Sequence, residues 1–241
     1  MTGTLVVIPT YNEAASIGDV VARVLRLEIV GHDIEVLVID DGSPDGTGAI
    51  VKTLTGSRVH LLERPKKSGL GQAYLAGFAW ALQRPYEVIV EMDGDGSHLP
   101  EQLDRLLAAI TDGADLVIGS RWVPGGKVDN WSFLRQSLSR AGNSYARFCL
   151  GFSLRDSTAG YRAFRRTALE ALDLATVDSS GYCFQIDLAW RAWQRKLRVD
   201  QVPITFVERT SGVSKMSKGI VLEAIWQITK WGLRRTTGLR R

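Results

Sequence analysis

Val88-Ile89-Val90-Glu91-Met92-Asp93-Gly94-Asp95 is an apolar run that ends in two carboxylates. A short β-branched run closed by turn-forming residues reads as a buried strand. Val88–Val90 is therefore a candidate strand running into Glu91-Met92-Asp93. That puts Asp93 and Asp95 at a strand's carboxyl end, where open α/β sheets hold their ligands. Carboxylates two residues apart can converge as the chain leaves the strand. A hard cation such as Mg²⁺ takes one or two carboxylates together with substrate phosphates. The same tripeptide also suits a solvated turn, and the spacing alone does not separate the two readings.

The pattern repeats on both sides. Leu5–Ile8 is a candidate strand stopped by Pro9, and Asn12 is placed to cap a helix with the stripe Ile17, Val20, Val21, Val24 and Leu25. Val36–Ile39 follows, then a helix through Ile50, Val51 and Leu54, then the strand Val59–Leu62. A helix carrying Leu70, Tyr74, Leu75, Phe78 and Ala81 leads into Val88. Beyond Asp95, a helix with Leu103, Leu106, Leu107 and Ile110 precedes the strand Leu116–Ile118. This βαβαβαβαβ order predicts a mostly parallel sheet flanked by helices. Further on, helices are expected around Phe133–Phe148 and Phe184–Trp193, and a strand around Val199–Phe206.

Polar clusters fall at the strand ends and so on one rim. Asp40-Asp41-Gly42-Ser43 closes the second strand. A carboxylate there can accept from base or ribose donors, while Ser43, followed by Pro44 and Asp45, can start a helix; both can hold. Pro9-Thr10-Tyr11-Asn12-Glu13 closes the first strand, where Tyr11 could pack on a flat base and Glu13 accept from it. Downstream cations at Arg121, Arg135, Arg162, Arg209 and Lys215 suit phosphate recognition as readily as they suit a solvated surface. Ser211-Gly212-Val213-Ser214-Lys215 reads as a polar loop able to close over a diphosphate.

Composition narrows the classes. With 241 residues, 45% of them hydrophobic, the chain can bury one sizeable core. There is no secretory leader pattern, and two cysteines, Cys149 and Cys183, make neither a disulfide framework nor a zinc site. Neither Gly-x-x-x-x-Gly-Lys-Ser/Thr nor Gly-x-Ser-x-Gly occurs, and Gly69-Leu70-Gly71 lacks the third glycine of a dinucleotide fingerprint. Three histidines argue against a His-rich metal site.

The net charge is +4, and the terminal segment Ser214–Arg241 holds seven basic residues against the single acid Glu223. Within it Glu223, Gln227, Lys230 and Arg234 form one polar stripe of a helix whose remainder, including Trp226 and Trp231, is apolar. It is too short and charged for the roughly 20 apolar residues of a span. It suits a helix lying in a membrane interface, or one packed on the domain's own core. The expected division is a catalytic domain over 1–218 and a basic amphipathic tail over 219–241.

Taken in order, the motifs Pro9–Glu13, Asp40–Ser43, Gly69–Gly71, Asp93–Asp95, Gly119-Ser120-Arg121, Asp156-Ser157-Thr158-Ala159-Gly160-Tyr161-Arg162, and Arg209 with Ser214-Lys215 closely resemble the family 2 glycosyltransferases of GT-A fold. Within them they resemble the polyprenol-phosphate-mannose (dolichol-phosphate-mannose) synthases. The resemblance runs from about Leu5 to about Lys218. It implies a single GT-A domain with a Rossmann-like sheet, and roles for matching positions. Pro9, Tyr11, Glu13 and Asp41, with Asp40 and Gly69 beside them, would hold the nucleoside. Asp93 and Asp95 would organise Mg²⁺ or Mn²⁺ and the donor diphosphate. Arg209 and Lys215 would close on that diphosphate, and Arg121, Arg135 and Ser139 would hold an acceptor phosphate. Some relatives carry Gln two residues after the second Asp as a further ligand; this chain has Ser97, which would ligate weakly or through water.

The implied reaction is transfer of mannose from GDP-mannose to a polyprenyl phosphate, with inversion, by a peripheral protein on the cytoplasmic face of a membrane. A separate integral membrane protein could anchor it. The nearest alternative is a UDP-glucose-dependent enzyme of the same fold, although Gly119–Gly126 looks more like the mannose branch. A non-catalytic scaffold is another alternative. A nucleic-acid-binding module would leave Asp93 and Asp95 without a purpose, so no specific nucleic acid is expected.

Overall fold

The computed structural model describes residues 1–177, 179, 181–208 and 218–237. The elements run β1 (Thr2–Thr10), α1 (Ile17–Leu25), β2 (His32–Asp40), α2 (Thr47–Leu54), β3 (Val59–Glu63), α3 (Leu70–Leu82), β4 (Val88–Glu91), α4 (Leu103–Thr111) and β5 (Leu116–Ser120). They continue with β6 (Lys127–Asp129), α5 (Phe133–Leu150), β7 (Arg162–Arg165), α6 (Arg166–Ala171), α7 (Gly181–Gln194), β8 (Val199–Pro203), β9 (Thr205–Val207) and α8 (Lys218–Thr237).

Seven strands form one sheet in the order β3-β2-β1-β4-β7-β5-β8, parallel except for β7, which is antiparallel to both neighbours. Strand order reverses at β1, between β2 and β4, so a crevice opens at their carboxyl ends. The apolar runs are continuous because both faces of the sheet are covered. Alternate side chains face opposite layers. Leu5, Val7, Leu37, Ile39 and Ile89 belong to a core with Tyr74 and Phe78 of α3 and Phe184 of α7. Val6, Ile8, Val36, Val38, Val88 and Val90 belong to a second core with α1 and α4. Each buried aliphatic side chain contributes about 1.5–3 kcal/mol. Helix α3 comes so close to the sheet at Gly77 that an added Cβ would lie 2.5 Å from Ile39 Cδ1 and 2.6 Å from Val7 Cγ1.

The sheet, its flanking helices and the single-domain architecture agree with the expectation from sequence. Three local readings change. Helix α1 begins at Ile17 rather than at Asn12; Asn12 instead takes a left-handed φ of 61° in the turn after β1. Ser43 caps no helix: α2 starts at Thr47, and the Asp45 carboxylate accepts from the Thr47 amide at 3.0 Å. The expected strand Val199–Phe206 is two strands in different sheets, β8 beside β5 and β9 beside β6, with Pro203 ending the first and buried Ile204 turning the chain. Strand β7 has only four residues, too short a signal to read in advance.

Helix α8 has two apolar sides. Ile228 and Trp231 are buried, with Trp231 stacked on Trp190 at 5.6 Å, and the Thr229 hydroxyl pairs with Tyr145 Oη at 2.6 Å. Trp226 and Leu233 remain exposed, as do Phe133, Leu134, Leu138 and Phe148 of α5, the helix that α8 meets at Tyr145. Among the described residues no helix is long and apolar enough to cross a membrane.

Candidate active site

A cleft of about 590 Å³ opens where the carboxyl ends of β1, β2, β4 and β5 converge. Pro9, Tyr11, Glu13, Asp41, Gly69, Asp93, Asp95, Ser97, Arg121 and Arg135 all line it. Asp40 and Ser139 do not. Arg209 and Lys215 lie outside the described residues.

One end of the cleft is built by turns after β1 and β2. Asp41 accepts from Arg64 Nη1 at 2.9 Å and from the Ser68 amide at 3.2 Å. Lys67 Nζ sits 4.3 Å from the centre of the Tyr11 ring. Both groups expected to meet a base are thus contacted by the segment that leads into α3. Asp40 turns inward: its carboxylate accepts from Thr10 Oγ1 at 3.1 Å, Ser43 Oγ at 2.5 Å and the Ser43 amide at 3.1 Å. It locks the ends of β1 and β2 together. The Ser43 hydroxyl oxygen in turn accepts from the Asn12 amide at 3.0 Å.

In the middle stands the carboxylate loop. Ser16 Oγ donates to the Gly94 carbonyl at 2.8 Å, and the Ser97 amide donates to Asp95 Oδ1 at 3.0 Å. The Asp93 amide donates to His98 Nδ1 at 3.0 Å. With Nδ1 accepting, the neutral imidazole carries its proton on Nε2, which faces Asp93 Oδ2 at 3.7 Å. His98 is buried, stacked on Tyr161 at 5.0 Å and edge-on to Phe206 at 5.5 Å. Behind the loop Glu91 is fully enclosed; burial pushes its pKa up to about 8, against the pull of Arg162, whose Nε lies 3.9 Å away.

The other end is cationic, and its charges are held by acids from distant segments. Arg121 forks onto fully buried Asp156, with Nε to Oδ2 at 2.8 Å and Nη2 to Oδ1 at 2.6 Å, and also donates to Thr158 Oγ1 at 2.9 Å. Arg135 pairs with Glu208 and lies 4.0 Å over the Trp131 ring. Arg135, Ser139 and Asn143 recur at four-residue spacing on one face of α5. Asn143 Oδ1 accepts from the Ser157 amide at 2.7 Å, and its Nδ2 donates to Thr158 Oγ1 at 3.2 Å, so α5 is tied to the Arg121 partner loop. Arg162 is no surface cation. It is fully buried and donates to the carbonyls of Ala159 (2.8 Å), Gln185 (2.7 Å) and Ser157 (2.7 Å). Burial lowers its pKa to about 10.

Sequence reasoning left His98, Trp131 and Gln185 without a role, and gave Asp156 none beyond its place in a motif. Only Asp156 carried a signal, an acid followed by Ser157, Thr158, Tyr161 and Arg162 within one run. Among the described residues no three His, Cys, Asp or Glu side chains form a cage for a metal ion. Two carboxylates on one loop still fit a hard cation that fills its remaining positions with water and phosphate oxygens.

A family model, Glycosyl transferase family 2, matches residues 5–173. Polyprenol monophosphomannose synthase of Mycolicibacterium smegmatis is 55% identical, covering 96% of this chain and 87% of its own. Undecaprenyl-phosphate mannosyltransferase of Micrococcus luteus is 54% identical, covering 98% and 97%. Dolichol-phosphate mannosyltransferase of Pyrococcus furiosus is 33% identical over 94% of this chain and 63% of its own. Among solved structures, glucosyl-3-phosphoglycerate synthase from Mycobacterium tuberculosis, in complex with Mn²⁺, UDP and glucosyl-3-phosphoglycerate, superposes with a TM-score of 0.67 at 21% identity, covering 100% of this chain and 81% of that one. That likeness concerns the fold. The family match and the near-full-length relatives agree with the cleft's position on a GT-A sheet, and the chain belongs to glycosyl transferase family 2.

Proposed function

We propose that this glycosyltransferase moves mannose from GDP-mannose to a polyprenyl phosphate, inverting the anomeric centre. The observation that carries the reading is identity of 54–55%, over nearly the whole chain, to two enzymes named for mannosyl transfer to or synthesis on polyprenyl phosphates. The cleft supports it by joining a turn-built end, a carboxylate pair and a cationic end in one cavity.

In this reading Pro9, Tyr11, Glu13 and Asp41 bind the nucleoside, with Lys67 leaving the Tyr11 ring as the base arrives. Asp40 and Gly69 shape that end. Asp93 and Asp95, with Ser97 beside them, hold Mg²⁺ or Mn²⁺. The cation supplies charge neutralisation for the departing diphosphate. Arg209 and Lys215 close over that diphosphate. Arg121, Arg135 and Ser139 orient the acceptor phosphate. A phosphate with a second pKa near 6 is largely ionised at neutral pH, so attack needs no general base. Approach opposite the leaving group gives the β-mannosyl phosphate from an α-linked donor.

The acceptor is a membrane lipid, and the exposed apolar side chains of α5 and α8 suit contact with a membrane surface. We place the protein peripherally on the cytoplasmic face, with segment 219–241 contributing to attachment and an integral membrane partner aiding it. Purified protein incubated with GDP-mannose, polyprenyl phosphate and Mg²⁺ should form mannolipid. EDTA or Asp95→Ala should lower the rate by about 10²–10³-fold. Product from UDP-glucose but not GDP-mannose would overturn the donor assignment.

A further inference from the structure

Among the described residues, five of the eight buried side-chain atoms lacking a hydrogen-bond partner belong to three residues; the others are on Trp122, Trp131 and Gln201. The five are Tyr74 Oη, both carboxylate oxygens of Glu91 and both polar atoms of the Gln185 amide. Native interiors leave few such atoms unmatched, and a group of them points to a ligand or ordered water. Tyr74 and Glu91 are fully enclosed behind the carboxylate loop. Gln185 differs: it is only 2% exposed yet forms part of the cleft wall. Its amide lies beside Glu91 and favours the ionised form there, but no hydrogen bond of good geometry joins them.

The backbone around Gln185 is fixed. Its carbonyl accepts from buried Arg162 at 2.7 Å, and it stands one turn into α7 from Gly181, which also lines the cleft. Gly160, also in the cleft wall, passes close to the carboxylate loop: a Cβ there would lie 3.6 Å from His98 Cε1 and 3.7 Å from Asp93 Oδ1. Gln185 thus shares one cleft wall with Asp93, Asp95 and Arg121. A carboxamide presents one donor edge and one acceptor edge side by side, which matches neighbouring hydroxyls of a pyranose.

We propose that Gln185 binds the hydroxyls of the transferred hexose, an inference that rests on the reading of the cleft as a nucleotide-sugar site. A turn of the side chain into the cleft lets the sugar satisfy the amide, whose oxygen and nitrogen are both buried and unmatched without it. Replacing an unmatched polar group by an apolar one of similar shape is close to neutral for stability. Gln185→Met should therefore keep or raise the melting temperature while weakening sugar recognition.

The test is titration calorimetry on the full chain with Mn²⁺, comparing GDP with GDP-mannose in the wild type and in Gln185→Met. Expected is GDP affinity within about twofold of wild type and GDP-mannose affinity about tenfold weaker, the loss of one or two hydrogen bonds. Equal losses for both ligands, or no loss for either, would overturn the proposal, as would a clear fall in melting temperature with the two affinities moving together. Wild-type binding of UDP and UDP-glucose in place of the guanine ligands would sink the donor assignment alone, and the uridine pair would then decide Gln185 by the same comparison. A wild type that binds none of the four would overturn both.

Discussion

The two ends of the cleft are held by different means. At the turn-built end, Tyr11, Glu13 and Asp41 leave adjacent parallel strands whose register fixes them: Thr10 is paired with Asp40, and the Asp41 amide donates to the Thr10 carbonyl at 3.1 Å. At the cationic end, Arg121 and Arg135 come from separate segments and are oriented by Asp156 and Glu208, far along the chain. Backbone pairing makes one end; ion pairs and a helix make the other. Substitutions of single side chains should therefore be far costlier at the cationic end.

Asp156→Ala should give the largest effect. It strands Arg121 in a buried site, and breaking such a pair costs about 3–5 kcal/mol. Chemical denaturation should register that loss, and a stability drop below 1 kcal/mol would show that Arg121 finds another partner. Next comes Glu91, between the two ends. Its folded pKa of about 8 stands above the ordinary 4.5, so its protonated form favours the native state. That contribution is complete below 4.5 and is lost as pH rises through 8, at up to about 1.4 kcal/mol per pH unit. Glu91→Gln should flatten the decline of melting temperature over this interval; an unchanged profile would assign the decline to other groups.

His98→Phe keeps the ring between Tyr161 and Phe206 but removes the acceptor for the Asp93 amide. Loss of such a supporting contact weakens metal affinity by about tenfold or more, measurable by Mn²⁺ titration with paramagnetic detection. Full retention would show that the loop is set by its backbone, as at the turn-built end. The smallest effect belongs there. Asn12→Gly relieves a left-handed φ and should stabilise the protein by no more than about 1 kcal/mol, visible as a small rise in melting temperature.

The same division explains what could be read from the sequence. Each of the first five strands announces itself by a local apolar run, and the residue after the run is at the sheet's rim whatever else the chain does. Tyr11, Asp41 and Asp93 were legible for that reason. Asn12 and Ser43 were misplaced by a few residues because turn geometry, a left-handed residue and the Asp45 carboxylate moved the helix starts. The cationic end was legible only through a resemblance. Nothing local to Arg121 announces Asp156, and Arg162 looks like any surface arginine until the fold closes over it. Gln185 is one of several polar residues in α7, beside Asp187 and Arg191, and its unmatched amide exists only in three dimensions.

Trp190 and Trp231 face each other at 5.6 Å with ring planes 23° apart, one on α7 and the other on α8. Two indoles this close couple their strong transitions and produce a paired band of opposite signs in far-ultraviolet circular dichroism. The protein therefore carries its own optical gauge of helix attachment. Adding lipid vesicles would leave that band intact if α8 meets the membrane with its outer side while staying docked, and would extinguish it if the helix peels away.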